Sequence, residues 1–340
     1  MKKVSIIIPI YNQENYLHKS IDSALQQSYP EIEIVCVNDG STDNSLSILK
    51  DYQKENHIII FNQDNSGLIH AVTQGVKQCT GDYICFLDPD DYLGHDYVQK
   101  AINEIGNHDF VAFGHYIDNG HCIRENNIDI QESFVLGKDE LQYIKNNLIW
   151  DSKNNRLSKI ILNSRWNKLY KATIIKELIE EYDNHKLISF GEDTLFTYLL
   201  VSKCNSGIAI PTVNEYYYNT GNQFSMMSNS SITNHVNKAY QSFEEFKHML
   251  ENNNDNTFQA YALYYFLIES LFQRLEYHDS IDEFGELYLL LHEDVTYIKA
   301  LNQLIIHSNG KRRIVYLLRR IINKPVIYRF LLSINNRNAL

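Results

Sequence analysis

Over the first 115 residues, short apolar runs alternate with stretches whose apolar positions recur at helical spacing. The runs predict strands at Val4 to Ile10, Glu33 to Asn38, Ile58 to Asn62, Tyr83 to Leu87 and Phe110 to Gly114. Helices are expected between them, at Tyr16 to Gln27, Asn44 to Glu55, Leu68 to Gln78 and His95 to Gly106. Such alternation argues for an α/β fold, a mostly parallel Rossmann-like sheet flanked by helices, in which ligands sit at the carboxyl ends of the strands.

Polar loops fall at those ends. The first strand runs into Pro9-Ile10-Tyr11-Asn12, the second into Asn38-Asp39-Gly40-Ser41-Thr42-Asp43, and the third is followed by Asp64-Asn65-Ser66-Gly67. The fourth stops at Asp88-Pro89-Asp90-Asp91, three carboxylates within four residues. An acidic turn capping the next helix would account for that motif alone, since Asp and Pro are ordinary turn residues. Four such loops on one edge are better explained by one site. Carboxylates clustered there suit Mg²⁺ or Mn²⁺, which keep waters and complete their shell with phosphate oxygens.

Residues 116 to 165 give no clear period beyond a hairpin or insertion. Pattern returns at Trp166-Asn167-Lys168-Leu169-Tyr170, followed by an expected helix from Ala172 to Tyr182. Phe190-Gly191-Glu192-Asp193-Thr194 then opens a helix to about Lys203, with two acids in a first turn where the helix dipole favours them. A strand is expected from Ile208 to Tyr218, and beyond about residue 230 the composition becomes helical, rich in Tyr and Leu. We therefore expect two domains, residues 1–230 and a helical 231–340.

The 340 residues are 44% hydrophobic, enough to bury a substantial core. The net charge of −11 conceals an asymmetry. Residues 311–340 hold eight Lys and Arg and no acid, leaving −19 on the rest, which argues against nucleic acid as a partner. In that tail Ile314, Leu317, Leu318, Ile321 and Ile322 form an apolar stripe with Arg319, Arg320 and Asn323 on the other side. This basic amphipathic helix suits peripheral contact with an anionic membrane through residues 311–335, docking on the helical domain, or a homo-oligomer through the C-terminal helices. The five cysteines, with no C-x-x-C pair, read as free thiols in a reducing compartment. Lys2 and Lys3 before an apolar run imitate a signal peptide, but Pro9 and the polar residues after Ile10 cut it short. No stretch reaches the length of a membrane span. A cytoplasmic protein is expected, at most peripheral at the inner face of the membrane.

The set Val4-Ser5-Ile6-Ile7-Ile8-Pro9-Ile10-Tyr11-Asn12, Val37-Asn38-Asp39-Gly40-Ser41-Thr42-Asp43, Gly81-Asp82-Tyr83 and Phe86 to Tyr92, in this order and spacing, closely resembles glycosyltransferase family 2. Trp166 to Tyr170 and Gly191-Glu192-Asp193 resemble that family's acceptor-side motifs. The resemblance implies a GT-A fold and an inverting, divalent-metal-dependent transfer of a hexose from a nucleotide-sugar donor, expected to be a UDP-sugar. The acceptor would be a hydroxyl of a surface glycan, lipid-linked or protein-linked. By the same resemblance Asp39 reads the nucleobase, and Pro9 and Tyr11 line its pocket. Asp88 holds ribose or the metal's water shell, Asp90 ligates Mn²⁺ or Mg²⁺ with Asp91 supporting it, and Asp193 is the general base with Glu192 beside it. The chain departs from the family at Val72 and Thr73, where Arg-Asn is usual, at Asn38, where aspartate is frequent, and at Asn219, where arginine is common. The alternative is a non-catalytic nucleotide-sugar-binding or scaffold protein of a glycan assembly system.

Overall fold

The computed structural model describes residues 1–56, 58–126, 132–151, 153, 156–157, 164–221, 231–277 and 281–321. The chain divides into two compact units, Met1–Lys145 with Lys159–Ser225, and Asn146–Ser158 with Met226–Leu340.

The first unit is built on the strands β1 (Val4–Ile10), β2 (Ile32–Asp39), β3 (Ile59–Gln63), β4 (Tyr83–Phe86), β5 (Tyr92–Leu93), β6 (Phe110–Asp118), β7 (Ile123–Glu125) and β8 (Phe134–Leu136). The pair β9 (Trp150–Asp151) and β10 (Arg156–Leu157) belongs to the second unit; β11 (Lys168–Lys171) and β12 (Gly207–Asn219) return to the first. Its helices are α1 (Leu17–Leu25), α2 (Ser45–Asn56), α3 (Leu68–Gln78), α4 (Tyr97–Ile105), α5 (Lys138–Asn146, which ends at the boundary), α6 (Ala172–Asp183) and α7 (Glu192–Lys203). The expected strands and helices are present, with ends moved by a few residues. The hairpin anticipated after residue 116 is β6–β7, antiparallel with Tyr116 opposite Glu125.

The sheet order is β3-β2-β1-β4-β11-β6-β12-β5, with β7 beside β6 and β8 beside β12. The first four strands are parallel, with Ile7 opposite both Val35 and Phe86. Every residue of β1 is buried because helices cover both faces, which is why its sequence is a continuous apolar run. On one face Ile6, Ile8 and Ile10 pack with Leu17 and Ile21 of α1 and Val98 and Ala101 of α4. On the other, α3 lies so close that a Cβ at Gly75 would stand 2.4 Å from Ile7 Cγ2. β11 interrupts the parallel order in the middle of the sheet, running antiparallel between β4 and β6, and β5, β7 and β8 pair antiparallel as well.

The second unit holds α8 (Ile232–Asn252), α9 (Phe258–Tyr277), α10 (Ile281–His292), α11 (Val295–His307) and α12 (Gly310–Ile321). The segment 146–158 joins it through Gln259, whose Oε1 accepts the N–H groups of Ile149 and Trp150, both at 2.9 Å. The expected boundary near residue 230 falls within 222–230, outside the described residues. On α12 the described part of the expected apolar stripe does not face inward. Tyr316 and Arg319 are buried, Arg319 pairing with Glu269 at 2.7 Å and donating to the Tyr265 hydroxyl, while Ile314 and Leu317 are exposed. The part of the tail beyond residue 321 lies outside the described residues. No described helix is long and apolar enough to cross a membrane.

Candidate active site

Three kinds of element converge on one edge of the sheet. The parallel strands β1, β2 and β4 end there. The antiparallel β11 begins there, so the residues leading into it, Ser164 to Asn167, arrive at the same edge. β6 and β12 run parallel to each other and antiparallel to β11, so the end of β12, Tyr216 to Asn219, arrives there too.

At the ends of β1 and β2 the loops are clipped together. Asn12, at φ 52°, accepts the Thr42 N–H (2.8 Å) and donates its own N–H to Ser41 Oγ (3.1 Å). Asp43 caps α2 by accepting the Ser45 N–H and also accepts the Glu14 N–H (3.0 Å). Asp39 is buried, and its carboxylate accepts N–H groups from Ser66 (2.8 Å) and Gly67 (2.9 Å) and the Gln63 side-chain amide (2.7 Å). It therefore fixes the 64–67 loop against the end of β2. Gly40 makes that approach feasible: its φ is +68°, and a Cβ there would lie 2.5 Å from the Asn65 nitrogen. Pro9 is buried within β1 and Tyr11 is half exposed beside it. Val72 and Thr73 are buried on α3, Thr73 bonding back to the Ile69 carbonyl, so neither brings a polar group to this edge. Asn38 pairs with Asn62 across β2 and β3 (2.6 Å).

The acidic segment after β4 is a turn closed by the Asp91 N–H on the Asp88 carbonyl (3.0 Å). Asp91 is fully buried and accepts the Tyr216 hydroxyl (2.7 Å) and the Asn219 N–H (2.7 Å), while Asn219 Nδ2 donates to the Asp90 carbonyl (3.0 Å). The Asp88 N–H donates to the Tyr216 oxygen (3.2 Å). β12 thus holds the backbone of the turn and Asp91. Burial, with repulsion from Asp90 and Asp88, holds the Asp91 carboxyl well above its usual range.

Asp88 Oδ1 accepts from Arg165 Nη2 at 2.9 Å, and Arg165 Nη1 lies 3.6 Å from Asp193 Oδ1. The same Asp193 oxygen accepts the Arg165 backbone N–H (3.0 Å). The guanidinium is buried; that works against its charge, but Asp88 and then Tyr182 and Asp193 hold the charge in place. One cation does not balance the acids around it. Burial pushes Asp88 up to about 6, with Arg165 opposing and Asp193 and Asp90 adding. Burial and then Asp193 push Glu192 up to about 7. Gly191, at φ 87°, lets the chain turn sharply into α7 and sets Glu192 and Asp193 in its first turn.

Arg165 is the functional candidate that sequence pattern did not single out; its only signal was adjacency to Trp166-Asn167-Lys168. Lys168 is also buried. Its ammonium donates to Asn167 Oδ1 (2.7 Å) and the Ser164 carbonyl, bracing the turn that carries Arg165, and burial pulls it down to about 7. Asn167 holds the left-handed conformation (φ 54°) and donates through Nδ2 to the Phe113 carbonyl (2.5 Å). Four of the expected residues, Asp88, Asp90, Asp91 and Asp193, are thus joined in one network, Glu192 feels Asp193 and Arg165 electrostatically, and Asp39, Pro9 and Tyr11 stand at the ends of β2 and β1 on the same edge.

A sequence model for glycosyl transferase family 2 matches residues 5–178. The chain belongs to glycosyltransferase family 2. Among family relatives, it is 34% identical over 206 residues to the glycosyltransferase GlyA of Streptococcus pneumoniae, a match covering 59% of this chain and 29% of that protein. It is 32% identical over 223 residues to the poly(ribitol-phosphate) beta-glucosyltransferase of Bacillus spizizenii, covering 64% and 32%. The chain thus spans about a third of the length of these two relatives. In fold it is similar to S. aureus TarS 1-349 in complex with UDP, at a TM-score of 0.60 and 19% identity over 99% of this chain and 92% of that one. The chain accordingly has an α/β GT-A fold followed by a helical C-terminal region.

For a divalent ion, the donor set of this family 2 domain is limited. No cluster of three or more His, Cys, Asp or Glu groups able to hold an ion is formed among the described residues. Asp91 is engaged by Tyr216 and Asn219, and one Asp88 oxygen by Arg165. What remains fits a hard ion held by one or two carboxylates, Asp90 with Asp88, whose other ligands are water and phosphate. Burial first, and then repulsion from neighbouring carboxylates, raises Asp88 and Asp91, and a bound cation would offset both.

Proposed function

We propose that the protein is a metal-dependent inverting glycosyltransferase that moves a hexose from a UDP-sugar to a hydroxyl of a cell-surface glycan, lipid-linked or protein-linked. The observation that carries this reading is Arg165. Its guanidinium lies 2.9 Å from Asp88 of the post-β4 turn and 3.6 Å from Asp193 at the head of α7, so the two acidic sites border one centre. A displacement with inversion needs this: one group for the departing diphosphate and a second, separate base for the attacking hydroxyl. The name of the B. spizizenii relative, a poly(ribitol-phosphate) beta-glucosyltransferase, supports a surface polymer as acceptor, and the UDP held by TarS supports a uridine donor.

In this reading Asp39 hydrogen-bonds the nucleobase, with Pro9 and Tyr11 lining its pocket. Asp90 and Asp88 hold Mg²⁺ or Mn²⁺; Asp91, fixed by Tyr216 and Asn219, holds the turn in shape. The ion, when bound, supplies charge neutralisation to the departing nucleoside diphosphate. Asp193 takes the proton of the attacking hydroxyl as general base, and Arg165, which donates its backbone N–H to it and sets its guanidinium 3.6 Å away as an ion pair, orients it. Glu192 stands beside it.

The test is hydrolysis of UDP- and GDP-sugars by the purified chain with Mn²⁺, with Mg²⁺ and with EDTA. One UDP-sugar should be turned over only with metal, and Asp90→Ala and Asp193→Ala should each lose about 100-fold or more. Full activity in both variants would sink the assignment. UDP binding without turnover of any donor, with or without a glycan acceptor, would instead mark a non-catalytic binder.

A further inference from the structure

Tyr216, Trp166 and Tyr218 form a stack that runs out of the core at the active-site edge. Trp166 lies 4.6 Å from the Tyr216 ring, tilted 21°, and 5.2 Å from the Tyr218 ring, tilted only 6°. Exposure rises along it from 0% at Tyr216 through 8% at Trp166 to 38% at Tyr218. The inner end is fixed: the Tyr216 hydroxyl is bonded to Asp91 and the Asp88 N–H, and His115 stands edge-on to Trp166 at 4.8 Å. The outer end, Tyr218, immediately precedes Asn219, which is bonded to Asp91 and the Asp90 carbonyl. Burial first, and then Asp91, Asp90, Asp88 and Asp193, push its phenol up. Tyr218 thus keeps part of its ring exposed at the active-site edge while Trp166 backs one face.

We infer that Tyr218 is the platform on which a pyranose ring of the acceptor glycan stacks, placing its hydroxyl at Asp193. The reading rests on the activity proposed above. The electropositive C–H face of a pyranose complements the negative face of an aromatic ring, and such contacts orient a sugar without spending its hydroxyls. Acceptor is favoured over donor by sheet order. Asp39 and the β1 and β2 loops, where the nucleotide is placed, lie on one side of β4, whereas the segment leading into β11, which carries Trp166, and β6 and β12, which carry His115 and Tyr218, lie on the other. A backed platform costs little ordering on binding, since Trp166 already holds the ring.

The test is binding, so that its outcome is separate from catalysis. Methyl hexopyranosides and N-acetylhexosaminides are titrated by saturation-transfer NMR against wild type, Tyr218→Phe and Tyr218→Ala, with ribitol and glycerol as acyclic controls. At least one pyranoside should bind wild type, bind Tyr218→Phe within about twofold, and bind Tyr218→Ala about fivefold or more weakly. UDP and UDP-sugar affinities should be equal in all three proteins. The inference is overturned if no pyranoside binds, if only the acyclic polyols bind, or if Tyr218→Ala binds pyranosides as wild type does. It is equally overturned if Tyr218→Ala weakens UDP-sugar but not UDP, which would give the platform to the transferred sugar. Should Tyr218→Ala melt early, Tyr218→Leu keeps the bulk without the ring and is expected to behave as the alanine variant. Loss of all turnover in wild type with pyranoside binding intact would count against the proposed activity and not against the platform.

Discussion

Glu33, at the end of the sheet opposite the active site, offers the cleanest measurement of what holds the domain together. It lies on β2 opposite Ser5, with its side chain 8% exposed. Its carboxylate accepts the Ser5 hydroxyl (2.5 Å), the Thr80 N–H (2.5 Å) and hydroxyl (2.7 Å) and the Gly81 N–H (3.1 Å), and pairs with Lys3 (2.5 Å). Burial alone would raise its pKa, but the Lys3, Ser5 and Thr80 donors outweigh it and hold it at about 2 against an ordinary 4.5. A carboxyl depressed in this way contributes stability that is fully present above about pH 4.5 and lost as pH falls toward 2. The gap is worth about 3.4 kcal/mol at pH 7. By linkage about 0.8 kcal/mol of that is lost at pH 4 and about 2 kcal/mol at pH 3. Glu33→Gln should therefore unfold at lower urea at pH 7, with a deficit of about 3 kcal/mol or somewhat more because the amide presents donors to donors. The deficit should shrink steadily when the pair of proteins is compared at pH 5, 4 and 3. Turnover per folded molecule should stay at wild-type level, because the change is at the far end of the strands. A deficit independent of pH, or none at pH 7, would refute the reasoning.

Arg165→Met leaves Asp88 and Asp193 as buried neighbours without their cation and should cost about 3–5 kcal/mol in urea unfolding together with most activity, whereas Arg165→Lys should recover part of both; a methionine variant as stable and active as wild type would contradict it. Gly40→Ala forces a side chain into φ +68° and against the Asn65 backbone, so it should lower stability by about 1–2 kcal/mol or more and weaken UDP binding measured by calorimetry, through displacement of the loop that Asp39 holds.

The carboxylate turn was legible in the sequence because its chemistry is local: an apolar run stopped by Asp88-Pro89-Asp90-Asp91 needs no partner to be noticed. The same holds for the strands, whose burial on both faces writes an unbroken apolar run, and for α3, found where its spacing placed it. Arg165 was not legible, because its importance follows from β11 running against the strands beside it and delivering its leading residues to their carboxyl edge. Nor was the membership of 146–158 in the helical unit, which depends on distant side chains, Gln259 bonding the backbone and Phe258 and Tyr316 packing on Trp150.

The sequence by itself determined the main strands and helices of residues 4–114 and 172–218, that a parallel sheet would gather polar loops on one edge, and to which family the N-terminal unit belongs. Local period and motif spacing depend only on near neighbours along the chain, so they survive without coordinates. Tertiary structure alone decided which buried cation pairs with Asp88 and Asp193 and which side chains of an amphipathic helix turn inward. On α12 the spacing grouped Ile314 with Leu317 and set Arg319 apart, yet Arg319 is the one buried, since Glu269 and Tyr265 on α9 satisfy it. A charge can be buried only where a partner waits, and that partner lies 50 residues away in the chain.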